Sequence, residues 1–289
     1  MSPTLKGSLL GLAGFGLFSL ADAAIKLLGR GYPSVQIMAY AGLFAFPLIA
    51  LLWLREGGRL RPVHPWLMAL RTGVLIVNGL VVTYAFTVLP LAEAYAIFFT
   101  MPLMLTVLAW PMLGERIDPV AGVAVLLGLG GVLVALDPQA ATLGLGHLAA
   151  VAGAVSAAVH YLIVRKTGGV ESRVAMLVYP QLGQALAALA LLPGRHVPMD
   201  WADLAIVGGL ALAGFGGTLL LFAAYRAATV IVVAPTQYSQ IAWAALYGAL
   251  FFAEPMDLRT AFGMAIIAGA GLVVVMRQDN RARHATKTG

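Results

Sequence analysis

The sequence predicts an all-α membrane protein with ten transmembrane helices, arranged as two inverted five-helix repeats. Three observations carry that prediction. Of 289 residues, 61% are hydrophobic and 10% are charged, against about 25% charged in soluble domains. Such a chain has too little polar surface to cover itself in water. Its apolar residues fall in ten runs close to the roughly 20 residues a helix needs to cross about 30 Å of hydrocarbon. The second half of the chain also lies on the first at a constant offset of 139 residues.

The ten runs, in order, are Leu5–Leu28, Val35–Leu54, Leu67–Val88, Ala92–Trp110, Pro119–Leu136, Gly144–Val164, Val174–Leu192, Leu204–Tyr225, Val230–Phe252 and Thr260–Met276. The first continues into a full span, with no short apolar stretch ending in an A-x-A site, so no cleavable signal is expected. Breaks carry turn chemistry: Gly29-Arg30-Gly31-Tyr32-Pro33 after the first run, Gly57-Gly58 after the second, Pro193-Gly194-Arg195 after the seventh. Trp53, Trp66, Trp110 and Trp201 stand at run ends, where an interfacial belt places them. With no cysteine, disulfide and thiol chemistry are excluded.

Charge sets the expected orientation. With the N-terminus cytoplasmic, fourteen of the eighteen Lys and Arg residues fall inside, and only Arg30, Arg195 and Arg259 outside. Lys26 lies near the outer end of span one. This is the positive-inside pattern, and it places both termini in the cytoplasm. The net charge of +6 then belongs to cytoplasmic loops facing the lipid bilayer, and no nucleic-acid partner is expected.

The repeat is visible residue by residue. Gly14 falls on Gly153, Ile25-Lys26 on Val164-Arg165, Ala85-Phe86 on Ala224-Tyr225, Gly114-Glu115 on Ala253-Glu254, and Asp118 on Asp257. After one inserted residue, Gly131-Val132-Leu133-Val134 falls on Gly271-Leu272-Val273-Val274. The halves are therefore 1–140 and 141–289. Five spans is an odd number, so the second half enters the membrane from the opposite side. Inverted repeats characterise secondary transporters, with a substrate site near the midplane between the repeats.

Two segments carry a resemblance to a known family. One is Gly114-Glu115-Arg116-Ile117-Asp118-Pro119 with the Gly-rich span after it, and its partner Ala253-Glu254-Pro255-Met256-Asp257. The other is Tyr84 to Ala94, with its second copy Phe222 to Val232. Over nearly its whole length the chain resembles the drug/metabolite transporter superfamily, in its EamA-type ten-span branch, and is similar to YddG-like amino-acid exporters. Ala253 departs from the glycine that the family often has. The resemblance implies a transporter, not an enzyme. It implies export of small neutral or zwitterionic metabolites, amino acids including aromatic ones foremost, by alternating access through a central cavity. It implies a multi-pass protein, of the inner membrane in a bacterial host.

Depth selects candidate binding residues. Most ionisable groups sit near span ends: Lys26 can snorkel outward, Asp22 is placed to pair with it at i, i+4, and Arg71 and Arg226 lie at the inner edge. The middle holds uncharged polar groups, namely Ser19, Asn78, Ser156, Gln181, Gln237 and Gln240. His160, one turn after Ser156, is the ionisable group well inside a span, either a proton site or a helix contact. Tyr84, Tyr95, Phe99, Phe222 and Tyr238 add aromatic surface. These twelve residues are the expected substrate-binding set. Pro102 in span four and Pro235 in span nine each remove a helical hydrogen bond and permit a bend, so their segments are candidate gates. The Gly-rich fifth and tenth spans read as close helix contacts. The five histidines are dispersed without ligand spacing, so no metal and no cofactor are expected. Facilitated diffusion, exchange and proton antiport stay open as mechanisms. Efflux of drugs or other metabolites by antiport is the alternative function, and it would need a carboxylate such as Glu93 or Asp22.

Overall fold

The structure is a computed structural model that describes residues 3–57, 60–114, 119–136, 143–167, 170–228 and 230–288. Among the described residues all regular structure is helical. The elements are α1 (Pro3–Leu28), α2 (Ser34–Glu56), α3 (Pro65–Val88), α4 (Leu91–Phe98), α5 (Met101–Leu113), α6 (Pro119–Leu136), α7 (Leu145–Thr167), α8 (Arg173–Leu191), α9 (Trp201–Ala227), α10 (Val230–Val233), a 3-10 turn (Ala234–Tyr238), α11 (Ser239–Phe252) and α12 (Leu258–Thr288). Residues 115–118 of the first Gly-Glu motif, together with Arg59, lie outside the described residues.

Each of the ten apolar runs is helical. Seven helical stretches are long and apolar enough to cross a bilayer, and 122–136 and 258–273 form shorter apolar helices. Large apolar side chains stand outward on many of them, among them Leu54, Leu126, Leu145, Leu148 and Leu250. In water each would cost hydrophobic free energy; in a bilayer they face lipid. The four tryptophans at run ends are exposed as well.

Two runs are interrupted. Span four divides at Phe99 and Thr100, where the Thr100 N–H donates to Ile97 O at 3.0 Å, three residues back, and the Thr100 hydroxyl caps the same carbonyl. Pro102 opens α5, where its missing N–H is tolerated in the first turn. Span nine passes through the 3-10 turn around Pro235, and the Thr236 hydroxyl donates to Val233 O.

The chain packs as two compact units, and each draws on both sequence halves. Unit one comprises 1–20, 90–144 and 216–289; unit two comprises 21–89 and 145–215. In unit one, α6 and α12 approach through glycine. A Cβ on Gly263 would lie 2.6 Å from both Ala135 N and Gly131 O, so only a hydrogen fits. Leu103, Ala124, Val125 and Ala270 are buried beside that contact. In unit two, one apolar cluster forms around Ala21, Leu210 and Ala213, and a second around Leu28, Ile37 and Val207.

The loops of unit two are tied in pairs. The buried Gln36 amide exchanges two hydrogen bonds with the Val197 backbone, at 2.6 and 2.9 Å. Beside it the Tyr32 hydroxyl donates to Asp203 at 2.5 Å, and that bond pushes the phenol pKa up to about 12. Elsewhere the Glu171 carboxylate accepts from the Val63 and His64 N–H groups at 3.0 and 2.7 Å.

Candidate functional site

The expected binding residues separate into two groups, one within each unit. Unit one holds an aromatic group at the two helix interruptions. Tyr95 and Phe99, one turn apart at the end of α4, stack with ring centroids 5.7 Å apart and planes at 20°. Phe99 meets Tyr238, at the end of the 3-10 turn, at 5.5 Å. The Tyr95 hydroxyl donates to Ser19 Oγ at 3.1 Å. Tyr95 and Phe99 are buried. Gly271 makes room for Tyr238, because a Cβ there would collide with the tyrosine hydroxyl. Offset stacks and tilted ring pairs are the favoured aromatic arrangements. Gln240 is buried and Gln237 half-buried in the same stretch, whereas Phe222 stays 42% exposed.

Unit two holds a polar seam between α3 and α7. Asn78 Nδ2 donates to Gly153 O and to Ser156 Oγ, both at 3.0 Å. Ser156 in turn donates to Gly153 O. The Asn78 amide N–H groups are thus used in holding two helices together. Gln181 and Gln184 on α8 lie over glycines: their amide atoms are 3.6 and 2.7 Å from where a Cβ of Gly42 and of Gly79 would stand. Tyr84 lies one and a half turns beyond Asn78, with its carbonyl accepting from the Thr87 hydroxyl.

Two basic residues expected near span ends are buried. Lys26 Nζ donates to Leu89 O at 2.6 Å, capping the C-terminal end of α3. Arg71 is also turned inward, 7% exposed, with Nη1 donating to Met176 O at 2.8 Å. Each cation is held by a backbone carbonyl of a neighbouring helix end or helix. Arg71 Nε, Thr72 Oγ1 and His160 Nδ1 are buried without a hydrogen-bond partner among the described residues. The signal that locates Arg71 was present in the chain: Arg71 and Asn78 stand at i, i+7 on one stripe of α3.

Outside the membrane-spanning segments, burial pushes the Glu171 carboxyl up. The two backbone N–H donors and the neighbouring His64 outweigh that, and the net shift is downward. In unit one, Glu93, Glu254 and Asp257 line a pocket of about 270 Å³. Among the described residues no three His, Asp or Glu side chains converge as a metal site.

Residues 5–136 and 144–276 each match the EamA-like transporter family. The two matched stretches begin 139 residues apart. The chain is 27% identical over 285 residues to an S-adenosylmethionine uptake transporter of Rickettsia felis, covering 95% of each chain. It is 28% identical over 273 residues to a riboflavin transporter of Rhizobium johnstonii, covering 92% of this chain and 89% of that one. One solved structure shares the fold with a TM-score of 0.65 at 21% identity, covering 93% of this chain and 96% of the other.

Proposed function

The chain belongs to the EamA-like transporter family, and from that premise we propose that it is a secondary transporter for a small metabolite that joins a heteroaromatic ring to an amino-acid end. It is an integral, multi-pass membrane protein, and in a bacterial host it resides in the inner membrane. The observation that carries the substrate reading is the ring group of Tyr95, Phe99 and Tyr238, placed where both interrupted helices turn. Aromatic faces accept a flat heterocycle through stacking, worth about 1–3 kcal/mol per base on nucleobases. The two relatives support the same class, since S-adenosylmethionine and riboflavin both carry a fused heteroaromatic ring. The relatives' names do not support amino-acid export, the narrower expectation; an α-amino-carboxylate on S-adenosylmethionine is all that the two readings share.

The transport cycle follows from the ten-span, inverted-repeat reading, which the double family match supports. Two similar five-helix halves give two packings of near-equal energy, and alternating access exchanges them. The interruptions at Phe99–Thr100 and Ala234–Tyr238 act as gates. Rings buried in this conformation meet substrate when those segments move.

The test is uptake of labelled S-adenosylmethionine into proteoliposomes, with and without a pH gradient. Saturable uptake is expected, and Phe99→Ala lowers it about tenfold, equivalent to about 1.4 kcal/mol. Phe222→Ala, at an exposed position, changes it by less than about twofold. Uptake of aliphatic amino acids with none of S-adenosylmethionine would overturn the heteroaromatic reading. Stimulation by a proton gradient that disappears in Glu93→Gln would favour the antiport alternative over a facilitator or exchanger.

A further inference from the structure

The polar seam of unit two is satisfied at one end and unsatisfied at the other. At Asn78 and Ser156 the amide N–H groups and the hydroxyl have protein partners. Two helical turns away on α3, Arg71 Nε and Thr72 Oγ1, and one turn away on α7, His160 Nδ1, are buried with none among the described residues. No carboxylate among the described residues pairs with Arg71; its polar contacts are Met176 O and the Met68 sulfur. Buried polar groups in native proteins are overwhelmingly hydrogen-bonded, and three orphans on adjoining helices ask for an occupant.

The other sequence half answers whether this polarity serves packing. At the repeat offset, Arg71 corresponds to Leu210, Thr72 to Ala211 and His160 to Ala21. Ala21 and Leu210 belong to one buried apolar cluster. The position closed by Ala21 and Leu210 in one copy therefore carries an imidazole and a cation in the other, with Thr72, whose methyl lies over Gly183 of α8, next to the cation. Packing alone does not call for the polar set.

We infer that Arg71, Thr72 and His160 form a subsite for the carboxylate of the transported solute. The chemistry fits a monoanion. Arg71 supplies one positive charge and Nε–H as a donor, Thr72 an O–H, and a neutral His160 an N–H in its Nδ1 tautomer. A carboxylate accepts through two oxygens and would satisfy all three groups. The subsite makes the protein prefer an amino-acid-bearing solute over a neutral flavin. The identity of that solute rests on the proposed function; the carboxylate preference itself does not.

Competition in proteoliposomes tests this with two pairs that differ by the carboxylate: S-adenosylmethionine against its decarboxylated form, and leucine against 3-methylbutylamine. The wild type should prefer the carboxylate member at least about tenfold. Arg71→Leu, which installs the residue of the other copy, should bring that ratio to about one. Thr72→Val, which keeps the guanidinium and its bond to Met176, should lower the ratio several-fold. If both members of a pair weaken equally in the variants and the ratio is unchanged, Arg71 is only a helix staple and the inference is overturned. A wild-type ratio near one in both pairs overturns it as well. If the S-adenosylmethionine pair is ignored but the leucine pair behaves as expected, the subsite stands and the heteroaromatic reading falls.

Discussion

At the repeat offset of 139 residues, this protein sets Leu210 and Ala21 in one buried apolar cluster and, at the matching positions, Arg71 and His160 on the packed helices α3 and α7. The backbone problem is the same, two helices brought side by side in a low-dielectric layer. The aliphatic solution needs nothing further. The polar solution leaves donors without partners, and a membrane interior offers no water to satisfy them. A duplicated chain thus contains its own control. Where one copy shows that apolar residues suffice, the other copy's polarity is available for function.

The sharpest way to break this comparison is to impose the polar solution on the apolar copy. Leu210→Arg places a charge in the cluster of Ala21 and Ala213 and should destabilise the protein by about 3 kcal/mol or more. Thermal melting in detergent reads it. A melting temperature near that of the wild type would mean that the position tolerates charge, and Arg71 would then need no special explanation. A smaller effect separates the two ends of the seam. Asn78→Ala removes two hydrogen bonds between α3 and α7 and should cost about 1–2 kcal/mol of stability, with substrate affinity within about twofold. A large rise in KM with unchanged melting would instead make Asn78 a substrate ligand. The smallest effect lies at the loops. The folded Glu171 carboxyl titrates below its usual value. Its stabilising contribution is therefore complete above the unfolded carboxyl pKa and is lost as pH falls through the lower folded pKa. Glu171→Gln should flatten the acid side of the melting-temperature profile below about pH 5 and leave neutral transport unchanged. An unaltered acid limb would show that the tie to Val63 and His64 does not contribute.

Much of the candidate site could be read in the chain, though not its division. Asn78 and Ser156 were legible because they are uncharged polar groups in the middle of uninterrupted apolar runs, and α3 and α7 do meet at that pair. Pro102 and Pro235 were legible as interruptions because proline removes a donor wherever it stands. The partnership of Phe99 with Tyr238 was not legible: the residues lie far apart in sequence, and each interruption rotates the ring that follows it by an amount that sequence does not specify. The burial of Arg71 and Lys26 was not legible for a related reason. Distance from a span's end tells how near water lies, but the direction of a side chain depends on which face of its helix is covered.

The Gly-Glu and Tyr84–Ala94 segments carried the family resemblance, and the residue matches at 139 the repeat. Composition and run length by themselves determined the helices and the many spans of a membrane protein. These follow from local physics, since hydrocarbon thickness sets helix length and backbone groups in lipid must bond within their own helix. Only the tertiary structure decided that unit one gathers the rings, that unit two gathers the polar seam, and that Arg71 faces inward. A helix apolar on all sides has no stripe to announce which face will be buried. Its rotation is settled by close packing at glycines such as Gly131 and Gly263, through contacts between residues more than a hundred positions apart.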